Sequence, residues 1–160
     1  MEIERKWLIK KENIPYDLSS LRSCRIDQRY VSFSPTIRIR SINGGEKYIL
    51  TVKSKGGSEF SRFETESEIT KAEYDSLLKK TEGNAVIKTR YFYDRADGLL
   101  EEIDIFEGGL SGLCYLEIEF PDEETCVSFP EPGWVTREVT GDGHFSNSGL
   151  AEHGMPAVDL

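Results

Sequence analysis

The chain reads as a series of short segments in which apolar and charged residues alternate, with turn residues between the segments. A period of two is typical of β-strands, because successive side chains point to opposite faces of a sheet. The predicted strands are 1–9, 26–34, 36–41, 47–55, 60–69, 85–93, 99–106 and 115–120. Tight hairpins are predicted at Asn43-Gly44-Gly45, Gly56-Gly57-Ser58 and Asp97-Gly98.

Helices are few and short in this pattern. Thr70 is followed three residues later by Glu73, which is a capping-box spacing and predicts a helix that ends near Gly83. Further short helices are predicted for 16–22, 121–127 and 148–153. Eight strands joined mostly by tight turns favour an antiparallel sheet, and closure protects its edges. The expected fold class is α+β, a closed eight-stranded antiparallel β-barrel with a few helices outside it.

Composition limits the partners that such a barrel can have. The 160 residues suffice for one domain, and a formal net charge of −9 disfavours nucleic acid and anionic membranes as partners. No apolar run is long enough to span a membrane, and the first seven residues contain no apolar leader. Three cysteines without CxxC spacing indicate neither disulfides nor a zinc site, so a cytoplasmic location is expected.

Like charges recur two residues apart on the predicted strands, so each pair shares one face. The six pairs are Glu2/Glu4, Arg38/Arg40, Lys53/Lys55, Glu64/Glu66, Lys88/Arg90 and Glu117/Glu119. Such neighbours sit roughly 6.5–7 Å apart. They repel by about 0.6 kcal/mol in water and about 2.4 kcal/mol at an effective dielectric constant of 20. One pair is ordinary on a solvated face, but six indicate that the charged faces enclose a ligand.

The two kinds of pair predict complementary chemistry. Lys6 and Arg62 join the three basic pairs to give about eight cations, which suit a phosphate chain. The acidic pairs would repel that chain unless metal ions lay between them. Carboxylates without histidine or cysteine select Mg²⁺ or Mn²⁺. The sequence therefore predicts a polar tunnel that holds a phosphate chain and a divalent metal ion.

An ordered set of motifs over nearly the whole chain resembles the CYTH superfamily, the triphosphate tunnel metalloenzymes. The set begins with Glu2-Ile3-Glu4-Arg5-Lys6, which is similar to the ExExK signature, and continues through Arg38-Ile39-Arg40, Leu50-Thr51-Val52-Lys53, Arg62-Phe63-Glu64-Thr65-Glu66, Lys88-Thr89-Arg90, Asp104 and Glu117-Ile118-Glu119. The stretch 139–151 resembles the C-terminal segment of small bacterial members. His144 and Phe145 depart from the basic residue and tyrosine expected there.

The resemblance implies one domain over 1–160, with 141–160 as a plug segment and tail. It implies metal binding by carboxylates of the acidic pairs and Asp104, and a possible homodimer. The implied metal ligands are Glu2, Glu4, Glu64, Glu66, Asp104, Glu117 and Glu119; the implied substrate ligands are Arg38, Arg40, Lys53, Lys55, Arg62, Lys88 and Arg90. Glu2, Glu4 and Lys6 are the implied catalytic residues, with Glu4 favoured as general base.

Alternatives stay open for several of these residues. A structural ion pair is the alternative for Asp104, a solvated ammonium for Lys55, and pairing with neighbouring carboxylates for Lys6 and Arg62. The expected activity is metal-dependent hydrolysis of inorganic tripolyphosphate to phosphate and pyrophosphate. The alternatives are a class IV adenylate cyclase, a thiamine or nucleoside triphosphatase, and a polyphosphate-binding module, which would not need the acidic pairs.

Overall fold

The computed structural model describes residues 1–55, 58 and 60–158, except for the side chain of Lys55. Within these residues the chain forms nine β-strands and three α-helices. The strands are β1 (Glu2–Leu8), β2 (Arg22–Phe33), β3 (Thr36–Ile42), β4 (Lys47–Lys55), β5 (Ser61–Ile69), β6 (Glu82–Asp94), β7 (Leu100–Phe106), β8 (Cys114–Glu119) and β9 (Arg137–Glu138). The helices are α1 (Lys71–Leu78), α2 (Glu123–Ser128) and α3 (Asn147–His153).

The first eight strands close into an antiparallel barrel, which confirms the predicted fold class. The strand order is β5-β4-β3-β2-β6-β7-β8-β1, and β1 pairs with β5 to complete the circle. The two-residue strand β9, which the sequence pattern does not predict, also pairs with β1, beside Trp7 and Leu8. The turn at Asn43 and Gly44 has the left-handed backbone that a tight hairpin requires, with φ of 48° and 73°.

Two of the predicted helix boundaries are wrong. The segment 16–22 contains a single 3₁₀ turn, Leu18–Ser20, and β2 begins at Arg22. The Asp17 carboxylate accepts hydrogen bonds from the Ser19 backbone N–H and hydroxyl and thereby caps this turn, but the turn ends after three residues because Arg22 already pairs with Phe92 of β6. Helix α1 has the predicted capping box but ends at Leu78, and β6 begins at Glu82. The predicted turn residues Gly56 and Gly57 lie outside the described residues.

The main apolar layer lies outside the barrel wall, because the inward faces are largely charged. The outer faces of β1, β7 and β8 contribute Trp7, Ile103, Leu116 and Ile118, which are fully buried. The segments that cover them come from the loop after β1, from α2 and from the segment that follows α2, and include Tyr16, Leu18, Cys126, Phe129 and Trp134. Helix α1 packs outside β2 and β3, with the ring of Tyr74 against that of Tyr48.

A second apolar cluster fills one end of the barrel interior. On four strands a charged inward-facing residue lies two positions from an apolar or aromatic one, which is nearer to this end of the barrel. These pairs are Lys6 and Leu8, Lys88 and Val86, Asp104 and Phe106, and Glu117 and Tyr115. Leu150 and Ala151 of α3 pack into the same cluster with Phe145. Helix α3 therefore plugs this end of the barrel, as expected from the resemblance.

Two glycines allow close backbone contacts around α3. A Cβ atom on Gly149 would lie 2.0 Å from the carbonyl oxygen of Gly143. A Cβ atom on Gly83, where φ is +72°, would lie 2.6 Å from the carbonyl oxygen of Ala151. Both approaches are to backbone atoms, which cannot rotate away as a flexible side chain can. The close packing of the plug therefore depends on the absence of side chains at these positions.

Two further observations concern the rest of the chain. In the part that the structure describes, no helix is both long enough and apolar enough to cross a membrane. All three cysteines lie within the described residues, and none of them forms a disulfide.

We expect Gly149→Ala to lower the free energy of unfolding by about 1–3 kcal/mol, since overpacking forces backbone shifts. An alanine within a helix otherwise stabilises it by roughly 0.5–1 kcal/mol over glycine, so the expected sign is reversed. Urea unfolding measures the difference. Gly143→Ala is the control, since no atom lies within 4 Å of its Cβ position. An unchanged or higher stability of Gly149→Ala would show that the plug does not need this close approach.

Candidate active site

The charged faces of the barrel strands point into the interior, as the spacing of the pairs predicts. Cross-strand neighbours share a face, and the register places Glu4 beside Glu119 and Arg90 beside Asp104. The alternation of side chains then brings the other charged residues of each strand to the same side of the wall. The barrel thus gathers pairs that are far apart in sequence.

The interior holds an inner chamber and a wider mouth. The inner chamber has a volume of about 250 Å³, and the mouth has a volume of about 480 Å³. Glu4, Arg38, Lys53 and Asn147 line both, so the two spaces meet at these residues. The mouth is bounded by the β2–β3 turn, by the ends of β4 and β5, and by the segment 139–148.

Most of the predicted site residues meet in these two spaces. The inner chamber is lined by Glu2, Glu4, Glu64, Glu66, Glu102, Glu117 and Glu119, by Arg38, Arg40, Lys53 and Arg90, and by Asn147. Lys6 and Arg62 line the mouth. The side chain of Lys55, a predicted substrate ligand, lies outside the described residues. His144 is exposed, and its Nδ1 lies 2.9 Å from the Asp142 carboxylate.

Lys88 and Asp104 form a buried layer between the chamber and the plug. Both side chains are fully buried, and Lys88 Nζ lies 2.8 Å from Asp104 Oδ2. The Arg90 guanidinium donates two further hydrogen bonds to the Asp104 carboxylate, at 2.7 and 2.9 Å. Lys88 Nζ also donates to the Asn147 side chain at 3.2 Å. This geometry favours the ion-pair alternative for Asp104 over direct metal binding.

Nearby cations keep the buried carboxylates in and beside this layer ionised. Burial by itself would raise the pKa of Asp104, but Arg90 and Lys88 hold it below its usual range. Burial lowers the pKa of Lys88 to about 7, against the attraction of Asp104. Burial also opposes the ionised form of Glu117, yet Lys6 and Arg90 lower its pKa to about 2. Asp104 and Glu117 are therefore ionised in the folded protein at neutral pH.

Other chamber carboxylates lack such compensation. Burial, followed by repulsion from Glu117 and Glu2, raises the pKa of Glu4 to about 7. Burial raises the pKa of Glu102 to about 7, although Arg90 lies 2.8 Å away. The pKa values of Glu2 and Glu119 are also raised, in each case mainly by burial. The chamber thus holds more carboxyl groups than its cations can keep ionised, so an added cation would favour their charged forms.

Three of the chamber carboxylates form ion pairs with cations of the barrel wall. Glu2 lies 3.1 Å from Lys53, Glu64 lies 3.5 Å from Arg38, and Glu117 lies 3.2 Å from Lys6. Among the described residues, no three acidic, histidine or cysteine side chains are gathered as ligands around one point. The chamber nevertheless fits a hard divalent cation, because its described lining offers carboxylate oxygens and contains more carboxylates than cations.

The sequence prediction missed two residues that line the chamber, Glu102 and Asn147, and one buried residue that contacts a lining residue, Gln28. Glu102 lies two positions before Asp104, so the same spacing rule that found the other pairs indicates it. Gln28 is fully buried and accepts a hydrogen bond from Arg40, but a neutral residue carries no charge pattern. Asn147 reaches the chamber from α3, and no strand periodicity places it there.

Comparison with known proteins assigns the chain to a family. A family model described as the CYTH domain matches residues 1–126. An inorganic triphosphatase of Nitrosomonas europaea is 38% identical over 152 residues, which cover 94% of this chain and 96% of that protein. An inorganic triphosphatase of Acetivibrio thermocellus is 33% identical over 154 residues, which cover 95% and 94% of the two chains.

Solved structures show the same architecture. A crystal structure of an inorganic triphosphatase superposes with a TM-score of 0.66 at 34% identity, covering 94% of each chain. A Hippeastrum protein, described as a putative adenylyl cyclase with a dominant triphosphatase activity, gives a TM-score of 0.61 at 21% identity and covers 79% and 83% of the two chains. The second likeness shows the fold alone.

We expect Asp104→Asn to lower the free energy of unfolding by about 3 kcal/mol, because it leaves Arg90 and Lys88 buried without the carboxylate that both of them contact. Urea unfolding at neutral pH measures the loss. Asp97→Asn is the control, since Asp97 pairs with Arg95 at the surface, where solvent screens the pair, and a much smaller loss is expected. Equal losses in the two variants would contradict the role given to the buried layer.

Proposed function

Because the chain belongs to the CYTH domain family, we propose that it hydrolyses inorganic tripolyphosphate to phosphate and pyrophosphate with the help of a divalent metal ion. Both named relatives are inorganic triphosphatases that match over almost their full length, which supports this substrate. The alternatives that the sequence left open, which include cyclisation of ATP, are tested by the same experiment.

The observation that carries the proposal is the charge balance of the inner chamber. Its described lining includes seven carboxylates and four cations, so a bare polyphosphate would be repelled there. A bound divalent cation would offset much of that negative charge and let the same chamber hold a highly charged anion. A module that only binds polyphosphate would have no use for the acidic excess.

The metal ligands that we propose come from the acidic pairs. Glu117 and Glu119 would hold one ion, and Glu2 and Glu4 would hold a second ion or orient the attacking water. Glu64 and Glu66 are further candidates on β5, the strand that pairs with β1. A bound Mg²⁺ or Mn²⁺ would neutralise charge on the phosphate oxygens. Ligands of this kind do not favour one of these two ions over the other.

The cations of the chain have the complementary task. Arg38, Arg40 and Lys53 line the chamber and would hold the phosphate oxygens. Arg90 also lines the chamber, but Asp104 offsets most of its charge, so we expect it to contribute less to anion binding. Lys6 and Arg62, at the mouth, would meet the anion first. Lys88, buried beneath Arg90, would act through the fixed ion pairs.

Glu4 is the residue that we propose as general base. It lines both the chamber and the mouth, so water that enters by the mouth passes its carboxylate. Hydrolysis joins the water oxygen to a terminal phosphorus, breaks the bridging P–O bond and releases pyrophosphate. Glu4 would accept the proton that the water gives up.

One observation favours a second candidate substrate class. The mouth is larger than the chamber, and its wall includes the apolar residues Phe33, Pro35 and Phe60. An organic group attached to a triphosphate, such as thiamine or a nucleoside, has room against this wall. The mouth therefore supports thiamine or nucleoside triphosphate hydrolysis as the alternative activity.

We also propose that the segment after residue 126 belongs to the same domain. Arg5 of β1 donates to the Glu138 carboxylate at 2.6 and 2.9 Å and to the carbonyl oxygens of Cys126 and Phe129. Lys6 Nζ donates to the carbonyl oxygen of Phe145 at 3.2 Å. A homodimer, a cytoplasmic location and the absence of nucleic-acid binding stay predictions of the sequence.

We expect the purified protein to release phosphate and pyrophosphate from tripolyphosphate in the presence of Mg²⁺ or Mn²⁺, and to lose this activity in excess EDTA. Parallel assays with ATP and thiamine triphosphate rank the alternatives. Cyclic AMP formed from ATP faster than phosphate is formed from tripolyphosphate would reject the proposed reaction. Tight binding of tripolyphosphate without turnover under either metal would indicate a binding module.

We expect Glu4→Gln to lower kcat by roughly 10²- to 10⁴-fold, the usual contribution of a general base. Its thermal stability at neutral pH should be unchanged or higher, because burial and the neighbouring carboxylates disfavour the charged form of Glu4. Glu68→Gln, an exposed carboxylate on β5, is the matched control and should keep full activity. A stability loss in Glu4→Gln that accounts for the lost activity would assign Glu4 a structural role instead.

A further inference from the structure

Arg40 differs from the other cations of the inner chamber in its partners. Of the four cations in the described lining of the chamber, three lie within ion-pair distance of a carboxylate. These pairs are Arg38 with Glu64 at 3.5 Å, Lys53 with Glu2 at 3.1 Å, and Arg90 with Glu102 at 2.8 Å. Within the described part of the chain, Arg40 has no carboxylate oxygen within 4.0 Å. Among the cations of the described lining, Arg40 is thus the one whose charge no carboxylate offsets at close range.

A neutral side chain occupies the place where a counter-ion would be expected. Gln28 lies directly opposite Arg40 in the pairing of β2 with β3, and its side chain is fully buried. Arg40 Nε donates a hydrogen bond to Gln28 Oε1 at 2.7 Å. Gln28 Nε2 in turn donates to the Tyr30 hydroxyl oxygen at 2.6 Å. The amide is therefore held on both sides.

The choice of an amide has an electrostatic consequence. A carboxylate at the same place would hold the guanidinium equally well but would neutralise it. The amide occupies only Nε, which leaves the two terminal NH₂ groups and the full positive charge for a ligand in the chamber. A guanidinium presented in this way matches two oxygens of a phosphate group. Burial and the neighbouring Arg38 and Arg90 lower the pKa of Arg40 to about 10, so the group is still protonated at neutral pH.

We propose that Gln28 is a positioning residue, which aims the Arg40 guanidinium into the chamber without neutralising it, so that Arg40 binds a phosphate oxygen of the substrate. The proposal rests on the proposed function for the identity of that anion. The hydrogen bonds that join Gln28 to Arg40 and Tyr30 form without any ligand. The positioning of Arg40 by Gln28 can therefore be tested separately from turnover.

The kinetic test is a double-mutant cycle with tripolyphosphate and Mg²⁺. We expect Gln28→Met, which keeps the length of the side chain but removes its acceptor, to raise KM by roughly ten-fold and to change kcat much less. In an Arg40→Met background the same substitution should change KM by less than about two-fold, because the partner is already gone. An equal rise in KM in both backgrounds would show that Gln28 only fills the wall, and would overturn the proposal.

Ile26→Met is the matched control for this cycle. Ile26 lies on the same strand and the same face, two residues before Gln28, and is buried without a polar group. Ile26→Met should change KM by the same factor in the parent protein and in the Arg40→Met background. Coupling of Ile26→Met to Arg40 as strong as that of Gln28→Met would overturn the assignment of the effect to the amide.

A second readout does not depend on activity. The Arg40 Nε–H resonance in NMR spectra, assigned by its loss in Arg40→Lys, should exchange slowly with water in the parent protein and much faster in Gln28→Met. Gln28→Glu keeps an acceptor, so it should keep slow exchange and still raise KM because it neutralises the guanidinium. Fast exchange in the parent protein, or an unchanged KM in Gln28→Glu, would overturn the proposal. Slow exchange in a parent protein that does not hydrolyse tripolyphosphate would overturn only the proposed function.

Discussion

Opposite charges packed inside a closed wall are the interaction on which the rest of this structure depends. Charged side chains are normally left in water, because burying them without partners costs several kcal/mol each. Here the barrel encloses them, and the cost is offset where carboxylates and cations lie within about 3 Å of each other, as in the Lys88–Asp104 pair. Where carboxylates lack such partners, as around Glu4, the chamber favours an added cation.

This constraint explains why the apolar core lies where it does. A barrel with an apolar interior buries its hydrophobic side chains inside the wall. In this protein the chamber occupies that space, so the loop after β1, α2 and the segment that follows α2 are needed to cover Trp7 and the outer faces of β7 and β8. The interior becomes apolar only at the end closed by α3. The short helices and the covering segments are thus consequences of a charged interior.

The contrast between Asp104 and Gln28 shows how the wall tunes its own cations. Arg90 is fixed by the Asp104 carboxylate and therefore brings little net charge to the chamber. Arg40 is fixed by a neutral amide and keeps its charge. Both guanidinium groups are held in place, but only one is held without being neutralised. Selectivity for an anion can thus depend on the neutral partners of a cation as much as on the cation itself.

The sequence by itself determined the strands and their inward faces, and it predicted the type of ligand. The period of two and the paired charges are local properties, and they identified the barrel and the acidic and basic pairs and indicated a metal ion. The sequence pattern did not determine the helix boundaries near 16–22 and Gly83, because β2 and β6 pair with each other as far as Arg22 and Glu82, and this pairing overrides the local helix signal. Only the tertiary structure decided which carboxylates have a counter-ion, because that depends on strands brought together by closure. The same reason applies to Gln28 and Asn147, whose places depend on partners on other elements that no spacing along the chain encodes, whereas Glu102 follows the same spacing rule as the other charged pairs.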